Sequence, residues 1–332
     1  MFRKERKHFM QQKLQELERV IGAEYDNITG IAVWKGGKPV LERYFDGCSA
    51  ENRLHVFSVT KSVVSILFGI ALDKGLLDSI DRKVCDFFPD YTPKRGEKTL
   101  QSVTIRDMLT MTAPYKYKSN PYTKYFTSPD WVRFSLDVLG GKGRIGEFRY
   151  APLIGPDILT GILTRLAGQS VLSFAQETLF APLGISAGDS VCFQSREELM
   201  AFYQADTMRV WAAGPTGVNA GGWGLTLSPA DMVRIGQLFL NGGVWEGRRI
   251  VSERWVLEST REQSRWTEAN LPYGYLWWVL EPEDGFAAIG DGGNIIYGSR
   301  KDDLAAAITS RFRPRVKDRL ALIREEIVPM FS

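Results

Sequence analysis

A serine and a lysine, Ser58 and Lys61, lie three residues apart at the start of a segment predicted to be helical. Residues at positions i and i+3 share one face of a helix, so the Lys61 amine can reach the Ser58 hydroxyl. A serine hydroxyl becomes a good nucleophile when a base takes its proton, and a desolvated lysine can be that base. The positive end of the helix dipole favours the alkoxide and lowers the pKa of the lysine. The pair is therefore a candidate for nucleophilic catalysis.

The Ser-x-x-Lys pattern also has an ordinary interpretation. It needs only two frequent residue types, so a chain of this length should contain it roughly once by chance. Ser58 could then be a helix N-cap and Lys61 a solvated residue of the first turn. The remainder of the sequence has to decide between the two interpretations.

The scarcity of histidine restricts the other kinds of catalysis, since the chain contains only His8 and His55. There is no H-E-x-x-H sequence and no His/Cys cluster, so we expect neither a metal nor a cofactor. Neither histidine follows a candidate serine in the order of the α/β-hydrolases. His55 is interpreted as a packed or loop residue, so the base for a serine nucleophile would be another residue type.

The composition is that of a globular protein, with 332 residues, 44% hydrophobic residues, 24% charged residues and a net charge of +3. This charge is too small and too dispersed to indicate nucleic-acid binding. No segment approaches 18 uninterrupted apolar residues, and no apolar stretch follows the basic start, so neither a membrane span nor a secretory signal is expected. The cysteines form no C-x-x-C pattern, which fits reduced thiols in a cytoplasmic protein.

The periodicity predicts helices and strands in an order in which strands from both ends of the chain form one sheet. The predicted strands are Ile28–Trp34, Pro39–Phe45, Tyr273–Leu280, Phe286–Gly290, Asn294–Ser299 and Leu304–Arg311. The predicted helices cover 5–22, 58–74, 104–111, 157–167, 173–179, 230–240, 252–259 and 316–330. The helix over 58–74 is apolar on nearly all sides, which indicates that it is buried.

This order predicts an α+β fold, an α/β sandwich in which helices flank an antiparallel sheet. We expect a single domain over 1–332 with two lobes. The sheet lobe would comprise 1–75 plus 228–332, and a mostly helical inserted lobe would comprise 76–227.

The segment Phe57–Ser62 is one of a series of motifs that covers most of the chain. The others are Gly75–Asp81 followed by Phe88-Pro89, Val103–Thr110, Phe148-Arg149-Tyr150, Ala220–Leu225, Leu240–Ile250 and Tyr273–Trp278. In order and spacing, the series resembles the penicillin-binding-protein-like serine hydrolases. This group contains class C β-lactamases, D-alanyl-D-alanine carboxypeptidases and family VIII esterases, so the resemblance implies a β-lactamase-like fold.

The resemblance also implies roles for individual residues. Ser58 would be the acylated nucleophile and Lys61 its proton partner. Tyr150 would be the second partner, as a phenolate or a phenol of low pKa between two cations, one of them Lys61. The oxyanion hole would use the backbone N–H of Ser58 and one from the strand edge near Asn294. Without the resemblance, Tyr150 would be interpreted as a core tyrosine.

Several positions depart from the pattern of that group, among them Met111–Pro114, where the group tends to have a His and a Ser-Gly. An asparagine that hydrogen-bonds the substrate amide usually lies two residues after the tyrosine, and here that position is Pro152, which has no side-chain donor. The third motif usually begins with Lys or His, and here Asp291 occupies that place. An acid there should raise the pKa of the tyrosine and repel a substrate carboxylate. The predicted substrate-binding residues are Pro152, Asp291, Gly292, Gly293 and Asn294.

The resemblance and the departures together imply a serine hydrolase with an acyl-Ser58 intermediate. Its substrate would be an ester or amide, either a small molecule or a peptide. A neutral or cationic substrate is expected in preference to a penicillin. It would therefore be an esterase, a D-amino peptidase or a weak β-lactamase. The alternative is a weak or inactive member that binds a peptide or other ligand in its cleft, which Pro152 and Asp291 favour. The sequence does not indicate an oligomeric state.

Overall fold

A large antiparallel sheet of eight strands runs through the protein, and three two-stranded sheets lie around it. The computed structural model describes residues 2–331, with side chains from residue 8 onward. In chain order, the strands are β1 (Ile28–Lys35), β2 (Lys38–Tyr44), β3 (Leu54–His55), β4 (Asp189–Val191), β5 (Val210–Ala212), β6 (Thr226–Leu227), β7 (Val244–Trp245), β8 (Arg248–Arg249), β9 (Ser264–Trp266), β10 (Leu271–Tyr273), β11 (Trp278–Leu280), β12 (Gly285–Gly290), β13 (Asn294–Ser299) and β14 (Leu304–Ser310).

The order in the large sheet is β2-β1-β14-β13-β12-β11-β10-β9, so strands from both ends of the chain meet at the β1–β14 pair. The helices that cover this sheet and form the remainder of the fold are α1 (Phe2–Glu24), α2 (Val59–Asp73), α3 (Ile105–Leu109), α4 (Tyr122–Phe126), α5 (Trp131–Val138), α6 (Pro156–Ala167), α7 (Val171–Ala175), α8 (Arg196–Gln204), α9 (Pro229–Leu240), α10 (Glu253–Ser259) and α11 (Arg319–Leu322). The predicted α+β fold with an antiparallel sheet is confirmed. The division into two lobes stays a prediction.

Alternating side chains of the sheet pack into two hydrophobic layers. In β1, Ile31 and Val33 belong to the layer that contains residues of α1 and α11, whereas Ala32 belongs to the layer with α2 and α9. Successive side chains of a strand point to opposite faces, so one strand contributes to both layers. Gly236 lets α9 approach the sheet closely, because an added Cβ would lie 3.1 Å from Cγ2 of Ile296.

The apolar helix predicted at 58–74 is α2, and it is buried continuously from Val59 to Ala71. Ser58 occupies its N-cap position, but the Ser58 side chain makes no capping hydrogen bond. The helix ends at Lys74, and Gly75 follows with a positive φ of 70° that glycine adopts without strain. The fold therefore places the Ser58 end of a rigid buried helix at the edge of the core.

Several predicted boundaries differ from the structure, among them those of one strand and of the last helix. The segment Tyr273–Leu280 forms two strands, β10 and β11, because the chain reverses between them and the N–H of Gly274 donates to the Trp277 carbonyl at 2.8 Å. The Ser62 hydroxyl of α2 donates to the carbonyl of Leu276 at 2.7 Å, so a tertiary contact overrides the strand propensity of this aromatic run. The last helix begins at Arg319, three residues later than expected, after Asp318 as its cap.

Gly69 is the position where α2 tolerates no side chain, because an added Cβ would lie 2.3 Å from Cδ1 of Trp255. We expect Gly69→Ala to lower the free energy of unfolding by roughly 1–3 kcal/mol, although alanine is the better helix former. Urea denaturation measures this difference. The control is Gly22→Ala in α1, where an added Cβ meets nothing within 4 Å and should stabilise slightly. Equal stabilisation by both substitutions would contradict the packing argument.

Candidate active site

The turn that carries Ser58 is held between two strands. The N–H of Val56 donates to the Leu225 carbonyl at 3.0 Å beside the β3–β6 pair, and Phe57 has a positive φ of 49°. On the other side, the end of β12 approaches so closely that a Cβ on Gly290 would lie 2.2 Å from the Val56 carbonyl oxygen. A non-glycine residue at positive φ is strained, and the surrounding backbone contacts maintain this conformation. The turn therefore presents Ser58 in a fixed position.

The Lys61 amine lies in a pocket of three oxygen atoms. Its Nζ is 2.7 Å from Oγ of Ser58, 2.7 Å from the Pro152 carbonyl oxygen and 3.0 Å from the Gly222 carbonyl oxygen. Lys61 is only 1% exposed, so the interpretation as a solvated first-turn residue is wrong. A neutral amine has two N–H donors and one lone pair. Because the two carbonyls can only accept, the geometry lets the lone pair face the Ser58 hydroxyl.

Burial lowers the pKa of Lys61 to about 7, while the negative charges of Asp291 and Asp157 raise it. The largest cause is desolvation, which disfavours the ammonium form of a lysine in the protein interior. An ordinary lysine is almost fully protonated at neutral pH, whereas this amine is present in both forms. The arrangement can therefore accept a proton from Ser58 at physiological pH.

Tyr150 lies next to the same pair, half-buried, with its side chain hydrogen-bonded to Ser58. The Lys61 Nζ is 5.0 Å from the centre of the Tyr150 ring, and the ring of Trp278 stacks on it at 5.8 Å. Burial raises the pKa of Tyr150 to about 12, the hydrogen bond to Ser58 lowers it and Asp291 raises it. The expectation of a phenolate is therefore wrong, whereas the expected increase in the pKa of Tyr150 caused by Asp291 is confirmed. A protonated phenol can donate a hydrogen bond or a proton.

The short turn Asp291–Gly293 between β12 and β13 borders the site on the sheet side. Nδ2 of Asn27 donates to the Gly292 carbonyl at 2.8 Å, and Nη2 of Arg319 donates to Oδ1 of Asn27 at 2.5 Å. Residues from the beginning and the end of the chain therefore hold this turn. Sequence reasoning missed both, and the separation of 292 positions between them leaves no local signal.

The side chain of Asn294 serves the same turn. Its Nδ2 donates to the Asp291 carbonyl at 2.8 Å, and its Oδ1 accepts from the N–H of Ser310 at 3.0 Å. Asn294 is fully buried, so its side chain is committed to backbone groups. Asn294 is also the first residue of β13, so its backbone defines the end of this strand at the cleft.

All of the predicted substrate-binding positions border one cleft of about 710 Å³. Ser58, Tyr150, Pro152, Asp291, Gly292, Gly293 and Asn294 line it. Lys61 lies beneath its floor, where the carbonyl of Pro152 accepts its hydrogen bond. The structure thus brings the predicted residues together, and their roles toward a substrate stay a prediction.

Asp157, which sequence reasoning missed, supports the Lys61 pocket from behind. This carboxylate is 1% exposed, accepts from the Tyr125 hydroxyl at 2.6 Å and accepts from the N–H of Gly221 at 2.8 Å. The next residue, Gly222, supplies a carbonyl to Lys61. Burial raises the pKa of Asp157 to about 6. In the sequence, an acid in the first turn of a helix is ordinary, so nothing distinguished it.

His55 is packed in the core, as the sequence predicted, and is 3% exposed. Its Nε2 accepts a hydrogen bond from the N–H of Gly224 at 2.9 Å, close to the glycine segment that contacts Lys61. Burial lowers the pKa of His55 to about 3, so the ring is neutral at physiological pH. His55 is therefore a structural support.

Within residues 2–331, no group of three or more His, Cys, Asp or Glu side chains is arranged to hold a metal ion. All three cysteines are free thiols. No single helix in the same range is long and apolar enough to cross a membrane, although the bent pair Pro156–Ala167 and Val171–Phe180 meets the length and composition criteria together.

A buried helix with serine and lysine in its first turn, a tyrosine beside them and an antiparallel sheet at the edge of the cleft define a β-lactamase-type fold. The sequence model of the β-lactamase family matches residues 12–327. The chain belongs to this family of serine hydrolases with the penicillin-binding-protein fold.

Individual relatives bear names from several hydrolase classes. The chain is 24% identical over 303 residues to a 6-aminohexanoate-dimer hydrolase of Paenarthrobacter ureafaciens, covering 84% of this chain and 71% of the relative. It is similar in fold to a family VIII carboxylesterase, with a TM-score of 0.69, 14% identity and coverage of 95% and 96%. A penicillin-binding protein homologue from Caulobacter crescentus also has a TM-score of 0.69, with 17% identity and coverage of 93% and 92%. Relatives thus include amide and ester hydrolases.

The pKa of Lys61 can be measured directly from the ¹³Cε chemical shift in lysine-labelled protein, with the resonance assigned by Lys61→Met. We expect a midpoint near pH 7. Asp157→Asn should move the midpoint to lower pH, because it removes a negative charge that raises the pKa of Lys61, while the amide oxygen can still accept from the N–H of Gly221. The control is Asp231→Asn, another buried carboxylate, which should leave the midpoint in place. A midpoint near pH 10 in wild type would refute the buried-base geometry.

His55 should make the protein less stable in mild acid. The unfolded chain takes up a proton at His55 below pH 6.5, whereas the folded ring stays neutral down to about pH 3, so stability is lost as pH falls through this interval. Between pH 7 and pH 5 the wild type should lose roughly 2 kcal/mol more unfolding free energy than His55→Gln. Urea denaturation of both proteins at both pH values tests this, and parallel losses would contradict it.

Proposed function

We propose that this protein is a serine hydrolase that cleaves an ester or amide through an acyl-Ser58 intermediate. The observation that supports the proposal most strongly is the coordination of the Lys61 amine. Two carbonyls, those of Pro152 and Gly222, occupy its donors, and the remaining position faces Oγ of Ser58 at 2.7 Å. A lysine held in this way is a base aimed at one hydroxyl.

In the proposed acylation step, Oγ of Ser58 attacks the substrate carbonyl carbon while its proton moves to Nζ of Lys61. The tetrahedral intermediate collapses when the bond to the leaving group breaks. The leaving oxygen or nitrogen takes a proton from the Lys61 ammonium, directly or through the Tyr150 hydroxyl. Tyr150 suits this relay because its raised pKa keeps it protonated at neutral pH. Water then hydrolyses the acyl-Ser58 ester with the same neutral amine as base.

The negative charge on the tetrahedral oxygen requires donors that are already in position. We assign these donors to the backbone N–H of Ser58 and an N–H at the edge of β13 near Asn294. The close contact of Gly290 with the Ser58 turn supports this assignment, because the Cβ that glycine lacks would lie 3.2 Å from the Ser58 nitrogen. The strand end and the nucleophile are therefore close enough to bind one oxygen between them.

The substrate is proposed to be neutral or cationic. Pro152 offers no side-chain donor to a substrate amide, and Asp291 places a negative charge at the cleft. A carboxylate-bearing substrate such as a penicillin would be repelled there. The relative named 6-aminohexanoate-dimer hydrolase and the family VIII carboxylesterase fit a hydrolase of amides or esters that is not restricted to β-lactams.

A catalytically weak member that only binds a ligand in the cleft is the second candidate. Pro152 and Asp291 favour it, because both differ from the residues that the usual pattern of this family has at these two positions. This candidate predicts thermal stabilisation by ligands without turnover across a panel of esters and D-amino-acid amides.

A fluorophosphonate probe tests the nucleophile, because it forms a stable covalent adduct with an activated serine. We expect one adduct per chain in the wild type, mapped to Ser58 by mass spectrometry. Ser58→Ala should give no adduct. Lys61→Met should slow labelling by at least about 100-fold, the range over which a positioned base acts.

The matched control is Ser62→Ala, one helical turn further along α2. Its hydroxyl donates to the Leu276 carbonyl at 2.7 Å, so its removal should lower stability by about 1 kcal/mol and leave the adduct intact. Equal absence of labelling in the wild type and Ser58→Ala would refute the proposal.

A further inference from the structure

Asp291 is an exposed carboxylate at the lip of the cleft, within electrostatic reach of the reactive residues below. It lines the cleft together with Ser58 and Tyr150, and its charge acts on both Lys61 and Tyr150. Among residues 8–331, no side chain forms a salt bridge or hydrogen bond with its carboxylate, since its carbonyl alone accepts from Asn294. A carboxylate without a counter-charge at this position leaves a negative potential where a substrate must enter.

The positive side chains that line the same cleft are engaged elsewhere. Arg313 forms two hydrogen bonds to Asp26, at 2.6 and 3.0 Å, and Lys317 is paired with Glu24. Arg319 is 5% exposed and lies beneath the turn, with its guanidinium on the ring of Tyr25 at 4.9 Å. These cations face carboxylates or the protein interior. The two cations paired with carboxylates, Arg313 and Lys317, are therefore not available to Asp291, whose carboxylate stays without an ion-pair partner among the described residues.

An exposed aromatic residue, Phe312, lines the same cleft as Asp291 and is 45% exposed. Its backbone packs against the Asp291–Gly293 turn, because a Cβ on Gly292 would lie 3.1 Å from the Phe312 Cα. The Phe312 ring lies 5.2 Å from that of Phe57 and 6.5 Å from that of Tyr203. The faces of aromatic rings attract alkylammonium groups.

We propose that Asp291, with the ring of Phe312, forms a binding site for an alkylammonium group of the substrate. The carboxylate supplies the counter-charge, and the ring contacts the methyl or methylene groups around the nitrogen. This proposal deepens the proposed function, since the ammonium would be part of the ester or amide that Ser58 cleaves. It assigns the preferred substrates to amine-bearing acyl compounds.

Binding of non-reacting probes tests the site independently of catalysis. Choline and its uncharged carbon isostere, 3,3-dimethyl-1-butanol, have the same shape and differ in charge. By isothermal titration calorimetry we expect choline to bind the wild type about tenfold more tightly, a typical value for a carboxylate and aromatic faces at a partly exposed site. In Asp291→Asn the ratio of the two affinities should approach one, and higher salt should reduce it in the wild type.

Two aromatic variants separate a specific site from a generally aromatic cleft. Phe312→Leu should reduce the preference for choline, because leucine preserves the apolar contact and removes the ring face. The control is Trp266→Leu in β9, an equally accessible ring of the same cleft that lies three strands from β12 and should leave the preference unchanged. Equal affinities in the wild type, or a preference that survives in Asp291→Asn, would overturn the proposal.

A kinetic pair of esters then connects the site to the reaction. The 4-nitrophenyl ester of 6-(trimethylammonio)hexanoate should have a higher kcat/KM than that of 7,7-dimethyloctanoate, its carbon isostere, and Asp291→Asn should remove the difference. If Ser58 takes the fluorophosphonate and both esters react equally, the ammonium site is refuted and the hydrolase stands. If choline binds preferentially and Ser58 stays unlabelled, the hydrolase is refuted and the site stands.

Discussion

The buried amine of Lys61 is the constraint on which the rest of the site depends. A lysine that is 1% exposed has to be solvated by the protein, since a charged group without partners in the interior is very unfavourable. This fold provides two carbonyl oxygens, from Pro152 and Gly222, and none of the described carboxylates forms a salt bridge or hydrogen bond with the amine. The amine is therefore stable in either protonation state, which is the property that a base must have.

The two carbonyls are positioned by groups outside the reactive set. Asp157 holds the N–H of Gly221, and His55 holds the N–H of Gly224, so the glycine-rich segment is fixed on both sides of the residue that contacts Lys61. Both supports are buried, with pKa values shifted toward the neutral form. The helical side of the site thus depends on hydrogen bonds that the low dielectric of the interior strengthens.

On the sheet side of the site, residues near both ends of the chain hold the structure in place. Asn27 before β1 and Arg319 at the start of α11 hold the turn that presents Asp291. This turn is also where the chain departs from the usual pattern of its family. A negative charge here raises the pKa of Tyr150 and Lys61 together, so the change from a cation to an acid affects proton transfer as well as substrate choice.

The sequence by itself determined the features that depend on neighbours along the chain: the apolar helix α2, the i and i+3 contact of Ser58 with Lys61 and the family. Only the tertiary structure decided the pKa values of Lys61 and Tyr150, because these depend on desolvation by residues distant in sequence. It also selected Asp157, Asn27 and Arg319, whose types and local spacing are ordinary. The split of Tyr273–Leu280 into two strands has the same cause, a contact with α2 that no local pattern encodes.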